Sequence, residues 1–146
     1  MAFENIKSVV NATYTTGFAS TDANSGVVVL VASGSGSGFP EPVVQKTSAV
    51  TDEIAGVVQN VEVADTGNRA PSGRNALTYA NSGVVKVKKT TAPGQADVGG
   101  QIRPTTTAGE VSVNADTGYG MVVDITGTTA NDYLLVDLDR AAFSLS

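Results

Sequence analysis

Short runs of residues branched at Cβ recur along this chain, and each is closed by a turn signal. Val27-Val28-Val29-Leu30-Val31, Val43-Val44, Val84-Val85-Lys86-Val87-Lys88 and Met121-Val122-Val123-Asp124-Ile125 are all too brief for stable helices, and glycine, proline or asparagine stands between them. Turns spaced at roughly 8–12 residues between such runs point to a sandwich or barrel. Composition agrees. There are 22 Val and 17 Thr but only 6 Leu, and β-branched side chains suit a pleated sheet better than a helix. The expected fold is therefore all-β, a compact β-barrel or sandwich of short antiparallel strands. At 146 residues the chain fits one domain, which hides about two-thirds of its unfolded surface without covalent staples.

Residues 1–20 read differently from the rest. Phe3, Ile6, Val9 and Val10 are apolar at a spacing that suits one or two helical turns, and Asn11-Ala12-Thr13-Tyr14-Thr15-Thr16 then reads as extended. Two readings stand: a first strand with a ragged end, or an extended N-terminal arm that packs on a neighbouring subunit through Phe3, Ile6 and Val9. We divide the chain into an arm, 1–20, and a β-barrel or sandwich domain, 21–146. Within the domain the unbroken apolar run from Val27 to Val31 implies a strand covered on both faces. Ser33 to Gly38 reads as a flexible loop, and residues 49–63 as a strand pair around Gly56-Val57-Val58. Leu77-Thr78-Tyr79 and Val84 to Lys88 form a hairpin candidate across Ala80-Asn81-Ser82-Gly83, with Val85 and Val87 facing one way and Lys86 and Lys88 the other. Two further pairs are expected, one about Ala108-Gly109 and one joining Met121–Ile125 to Tyr133–Leu138. The hexapeptide Ala23-Asn24-Ser25-Gly26-Val27-Val28 recurs as residues 80–85, which reads as one turn chemistry used twice.

Several functions are disfavoured by what is missing. Without Cys there is no disulfide, thiol catalysis or thiolate zinc site, and without His the commonest general base and metal ligand is gone. The glycine-serine run lacks the Gly-Lys-Ser/Thr ending of a phosphate loop. Asp137 and Asp139 sit one residue apart, but Val and Leu surround them, so they read as a solvated strand face. No enzyme, cofactor or metal is expected. The longest apolar run is far too short to cross a bilayer, and the first residues lack the basic and apolar stretches of a signal peptide. We expect synthesis in a cytoplasm and no membrane partner.

Charge is unevenly placed. Residues 1–68 carry two basic and seven acidic groups. Residues 69–103 carry Arg69, Arg74, Lys86, Lys88, Lys89 and Arg103 against Asp97 alone, and residues 104–146 carry Arg140 against six acids. Either the sheet interleaves these blocks so that they neutralise locally, or a basic edge of one subunit meets an acidic edge of another partner or copy. Arg69, Arg74, Lys86, Lys88 and Arg103 are then the candidate partner-binding residues. Direct nucleic-acid binding is disfavoured by the net charge of −5 and the lack of aromatic residues beside the basic ones.

The runs Ala96 to Pro104, Gly109 to Val113, Tyr119 to Ile125 and Asn131 to Leu138 together give glycine-rich short strands ending in a Val/Leu strand. In this pattern the chain resembles the small β-rich capsid decoration, or cement, proteins of tailed phages, over about residues 25–140. The Arg69–Arg74 loop and the Ser-Gly loop have no counterpart in that pattern. The resemblance implies a β-barrel-like domain, a homotrimer at three-fold and local three-fold positions on the capsid exterior, with the major capsid protein as partner. It implies an N-terminal arm reaching a neighbour, and a role in bracing the shell against internal DNA pressure. Another virion part, such as a tail-tube, tail-fibre or adhesin domain, is the alternative.

Overall fold

A computed structural model describes residues 4–14, 17–32, 41–62, 75–115 and 117–140. They form nine strands: β1 (Asn5–Tyr14), β2 (Val28–Val31), β3 (Val44–Lys46), β4 (Gly56–Glu62), β5 (Asn75–Val87), β6 (Gln101–Pro104), β7 (Val111–Asn114), β8 (Met121–Ile125) and β9 (Leu134–Asp137). The strands make one sheet in the order β3-β2-β4-β5-β9-β8-β6-β7, with β1 added on β5 and every strand pair antiparallel. The sheet curls into a half-barrel. Helical structure among the described residues is confined to single 3-10 turns at Ser20–Asp22 and Gln95–Asp97.

β5 is the joint. One of its edges carries β1 from Asn75 to Val84, and the other is shared by β4, opposite Ala76 to Ala80, and β9, opposite Val84 to Val87. Both ends of the strand path also return towards β5. A parallel bridge ties Thr13 of β1 to Val43 just before β3, and another ties Lys89 to Val111 at the start of β7. The apolar side chains divide accordingly. Val28, Val57, Val85, Val87, Ile102, Val122, Leu134 and Val136 belong to one buried cluster, and Ala12, Tyr14, Val29, Val58, Leu77 and Tyr79 to a second. Adjacent residues in β2 (Val28, Val29) and in β4 (Val57, Val58) enter opposite clusters at 0 % exposure. These strands are covered on both faces, as the unbroken apolar run implies, although Val31 at the end of β2 is exposed.

The N-terminal segment takes the strand reading over Asn5–Tyr14. It pairs with β5 throughout, and Ala12, Thr13 and Tyr14 are buried. The arm is not what these residues form, because β5 offers them a full edge of unpaired backbone groups. Residues 77–88 also differ from expectation. They make no hairpin; β5 runs unbroken for 13 residues. Nor do residues 49–63 hold a strand pair, since β4 is the only strand there among the described residues and Ala49 to Asp52 form a turn. The hairpins β6–β7 and β8–β9 stand where the sequence places them.

The repeated hexapeptide explains the missed hairpin. Its glycine has positive φ in both copies, +75° at Gly26 and +98° at Gly83. In the first copy that glycine ends a turn and launches β2. In the second it lies inside β5, where the pairing with β1 slips on either side of Ser8, so the left-handed residue makes a bulge and the strand continues. A Cβ on Gly83 would meet the Asn5 carbonyl oxygen and lie 2.7 Å from the Lys7 nitrogen. Asp139 clasps this bulge, accepting from Ser82 Oγ at 2.9 Å and from the Gly83 N–H at 3.2 Å, with Lys7 Nζ 3.6 Å away. These contacts, led by the Ser82 hydroxyl, hold the Asp139 carboxyl below the ordinary carboxylate range.

Four other aspartates build four loops in one way. In Ala19–Asp22, Ala49–Asp52, Gly94–Asp97 and Thr129–Asp132, the carboxylate of the fourth residue accepts the N–H of the first at 2.8, 2.9, 2.9 and 3.0 Å. The N–H of that same aspartate returns a bond to the carbonyl of the first residue in every case. Each loop is thus a single turn closed twice, the acid reaching back as in half of a capping box.

Candidate partner-binding surface

Alternation along β5 sets the main feature. Val85 and Val87 are fully buried, which turns Lys86 to the outer face, and Lys88 just past the strand end follows it. Both ammonium groups lie over one aromatic ring. Lys86 Nζ is 4.8 Å and Lys88 Nζ 5.8 Å from the centroid of Tyr133, at the entrance to β9. Lys88 Nζ also donates to the Ala130 carbonyl at 2.6 Å. Leu135, the cross-strand partner of Lys86 on this face, is only 8 % exposed.

The carboxylates near this platform are occupied. Glu4 accepts the backbone N–H of Lys86 at 3.2 Å rather than its ammonium. Asp132 accepts from Thr126 Oγ1 on one oxygen and from the Thr129 N–H and hydroxyl on the other. Those bonds, the Thr129 backbone N–H first, lower its proton affinity, and the charge of Lys88 adds to the effect. Lys89 turns the other way and pairs with Asp97 at 2.9 Å. Lys86 and Lys88 make no ion pair among the described residues. Among the described residues, neutralisation of the basic block by ion pairing therefore reaches Lys89 but not these two, although Asp132 lies near enough to feel the charge of Lys88.

Arg103 forms a second, smaller basic spot. It stands beside Ile102, which is fully buried, so its side chain points outward from β6. Its Nη1 donates to Thr117 Oγ1 at 3.3 Å, and a cavity of about 180 Å³ opens between Arg103, Thr117, Gly118 and Tyr119. The apolar candidates divide. Ile6 is half-buried and packs against the first core cluster, whereas Val9 is 53 % exposed. Phe3, Arg69 and Arg74 lie outside the described residues.

Sequence reasoning missed Tyr133 as the organiser of the lysine pair. Its position beside Leu134 was the available signal, but nothing local shows that β9 will lie next to β5. It also missed an open groove of about 580 Å³ with Leu30, Val31 and Ile54 in its lining and Asp52 and Glu53 at hand. Among the described residues, no group of three or more His, Cys, Asp or Glu is placed to hold a metal, and no helix is long and apolar enough to cross a membrane. No family model matches the chain, and no curated protein or solved structure matches it either.

Proposed function

We propose that this chain is a structural virion protein that binds the outer surface of a phage capsid and stabilises the shell. The observation that carries the reading is the Lys86–Lys88–Tyr133 platform, a cationic outer surface with no ion-pair partner among the described residues, set on a strand that anchors the whole sheet. A rigid sheet that presents surface side chains suits docking on a lattice, where many identical weak contacts add by avidity. The four segments that carry the decoration-protein resemblance fall in β6 to β9 and the loops that lead into them, one contiguous part of the sheet. Aspartates that would otherwise suggest chemistry are engaged in holding loops and the β5 bulge. A trimer at three-fold positions belongs to the same proposal.

The test is co-sedimentation of the purified protein with capsids that lack it. Saturable binding together with a raised capsid disruption temperature is expected. No binding, or binding with no gain in capsid resistance, overturns the proposal.

A further inference from the structure

The platform also points to the chemistry of what it binds. Lys86 and Lys88 place two positive charges about one ring, 4.8 and 5.8 Å from its centre. Two like charges gathered at one ring repel each other, and the ring quadrupole offsets only part of that repulsion. A carboxylate brought to this pair would relieve that repulsion. Among the described residues nothing plays that part: neither lysine makes an ion pair, Glu4 accepts the Lys86 backbone N–H, and Asp132 accepts three bonds from Thr126 and Thr129. The ammonium groups have donors to spare: Lys88 uses one N–H on Ala130, and a lysine carries three. The strand beneath is fixed, since Val85 and Val87 are fully buried and pair with Val136 and Leu134.

We propose that Lys86, Lys88 and Tyr133 form a docking site for an acidic protein segment, with an Asp or Glu carboxylate brought to the lysine pair and neighbouring aliphatic carbon resting on the tyrosine ring. The site favours protein over nucleic acid. The chain carries a net charge of −5, which repels a polyphosphate, while a single acidic loop meets only the local positive patch. This inference deepens the capsid reading by naming the chemistry of its partner, and it rests on that reading only for the partner's location.

The experiment is an NMR titration of the intact protein with a hexaglutamate peptide at low salt, alongside the Lys86→Gln/Lys88→Gln variant. Shifts centred on Lys86, Lys88 and Tyr133 are expected, with affinity about five- to tenfold weaker in the double variant, as two exposed ion pairs allow. A Lys86→Arg/Lys88→Arg variant should retain binding. Equal affinity of the wild type and the glutamine variant, shifts centred elsewhere, or tighter binding of hexathymidylate than of hexaglutamate overturns the assignment. No capsid enters this titration, so its failure beside intact co-sedimentation would overturn the acidic-segment assignment, while capsid binding would stand on the co-sedimentation itself.

Discussion

Two glycines with nearly the same backbone conformation allow one packing contact to be weighed alone. Gly83 has φ +98° and Gly99 φ +93°. A Cβ on Gly99 would meet nothing within 4 Å, whereas one on Gly83 would run into the Asn5 carbonyl and the Lys7 nitrogen of β1. Gly99→Ala therefore reports the left-handed backbone strain by itself, about 1–2 kcal/mol. Gly83→Ala adds overpacking against β1, typically about 1–3 kcal/mol, for a total of about 2–5 kcal/mol. Urea denaturation followed by circular dichroism and by tyrosine fluorescence measures both. Coincident curves and unchanged slopes would confirm that two-state values can be compared. If β1 yields by peeling away, hydrogen exchange should speed up in residues 5–8 of the Gly83 variant and stay unchanged in the Gly99 variant. Equal destabilisation of the two, within about 0.5 kcal/mol, would refute the close β1–β5 approach and the placement of β1 that depends on it.

Other consequences are as specific. Leu134 is fully buried and its strand pairs with both β5 and β8, so Leu134→Ala should cost about 2–5 kcal/mol in the same denaturation assay. Thr47 is fully buried and its Oγ1 meets no hydrogen-bond partner among the described residues, so Thr47→Val should raise stability by about 1 kcal/mol, and a loss would reveal a bond to that hydroxyl. Asp132 and Asp139 both have folded-state proton affinities lowered by the hydrogen bonds they accept. Their contribution to stability is present above the ordinary aspartate value of about 3.9 and is lost as pH falls through it towards the folded values. Melting temperature should therefore drop below about pH 4, and the drop should be shallower in an Asp132→Asn/Asp139→Asn variant; identical acid profiles would contradict the assignment.

What the sequence made legible was local. The hairpins β6–β7 and β8–β9 follow from short apolar runs joined by turns with no competing partner. The doubly covered β2 follows from three consecutive valines with nothing polar among them. The failures lie where a distant strand decides. Asn81-Ser82-Gly83 has ordinary turn chemistry, and only the pairing of β1 along the opposite edge makes it a bulge inside a continuous strand. The same long-range pairing turned the supposed arm into β1. The aspartate loops were hidden for another reason: an acid three residues after a backbone N–H is too common a pattern to stand out before the loop is seen closed on both sides. Among the candidate contact residues, Lys86 and Lys88 were readable from alternation with Val85 and Val87, but their shared ring required the β5–β9 pairing.

Binding to the outside of a capsid shell is the central claim, and electron cryomicroscopy of the assembled particle tests it most directly. The account predicts density for this chain on the outer surface of the shell, with the Lys86–Lys88 face towards acidic residues of the major capsid protein. Density for it confined to the tail, or a shell whose surface is the same with and without the protein, would contradict the account.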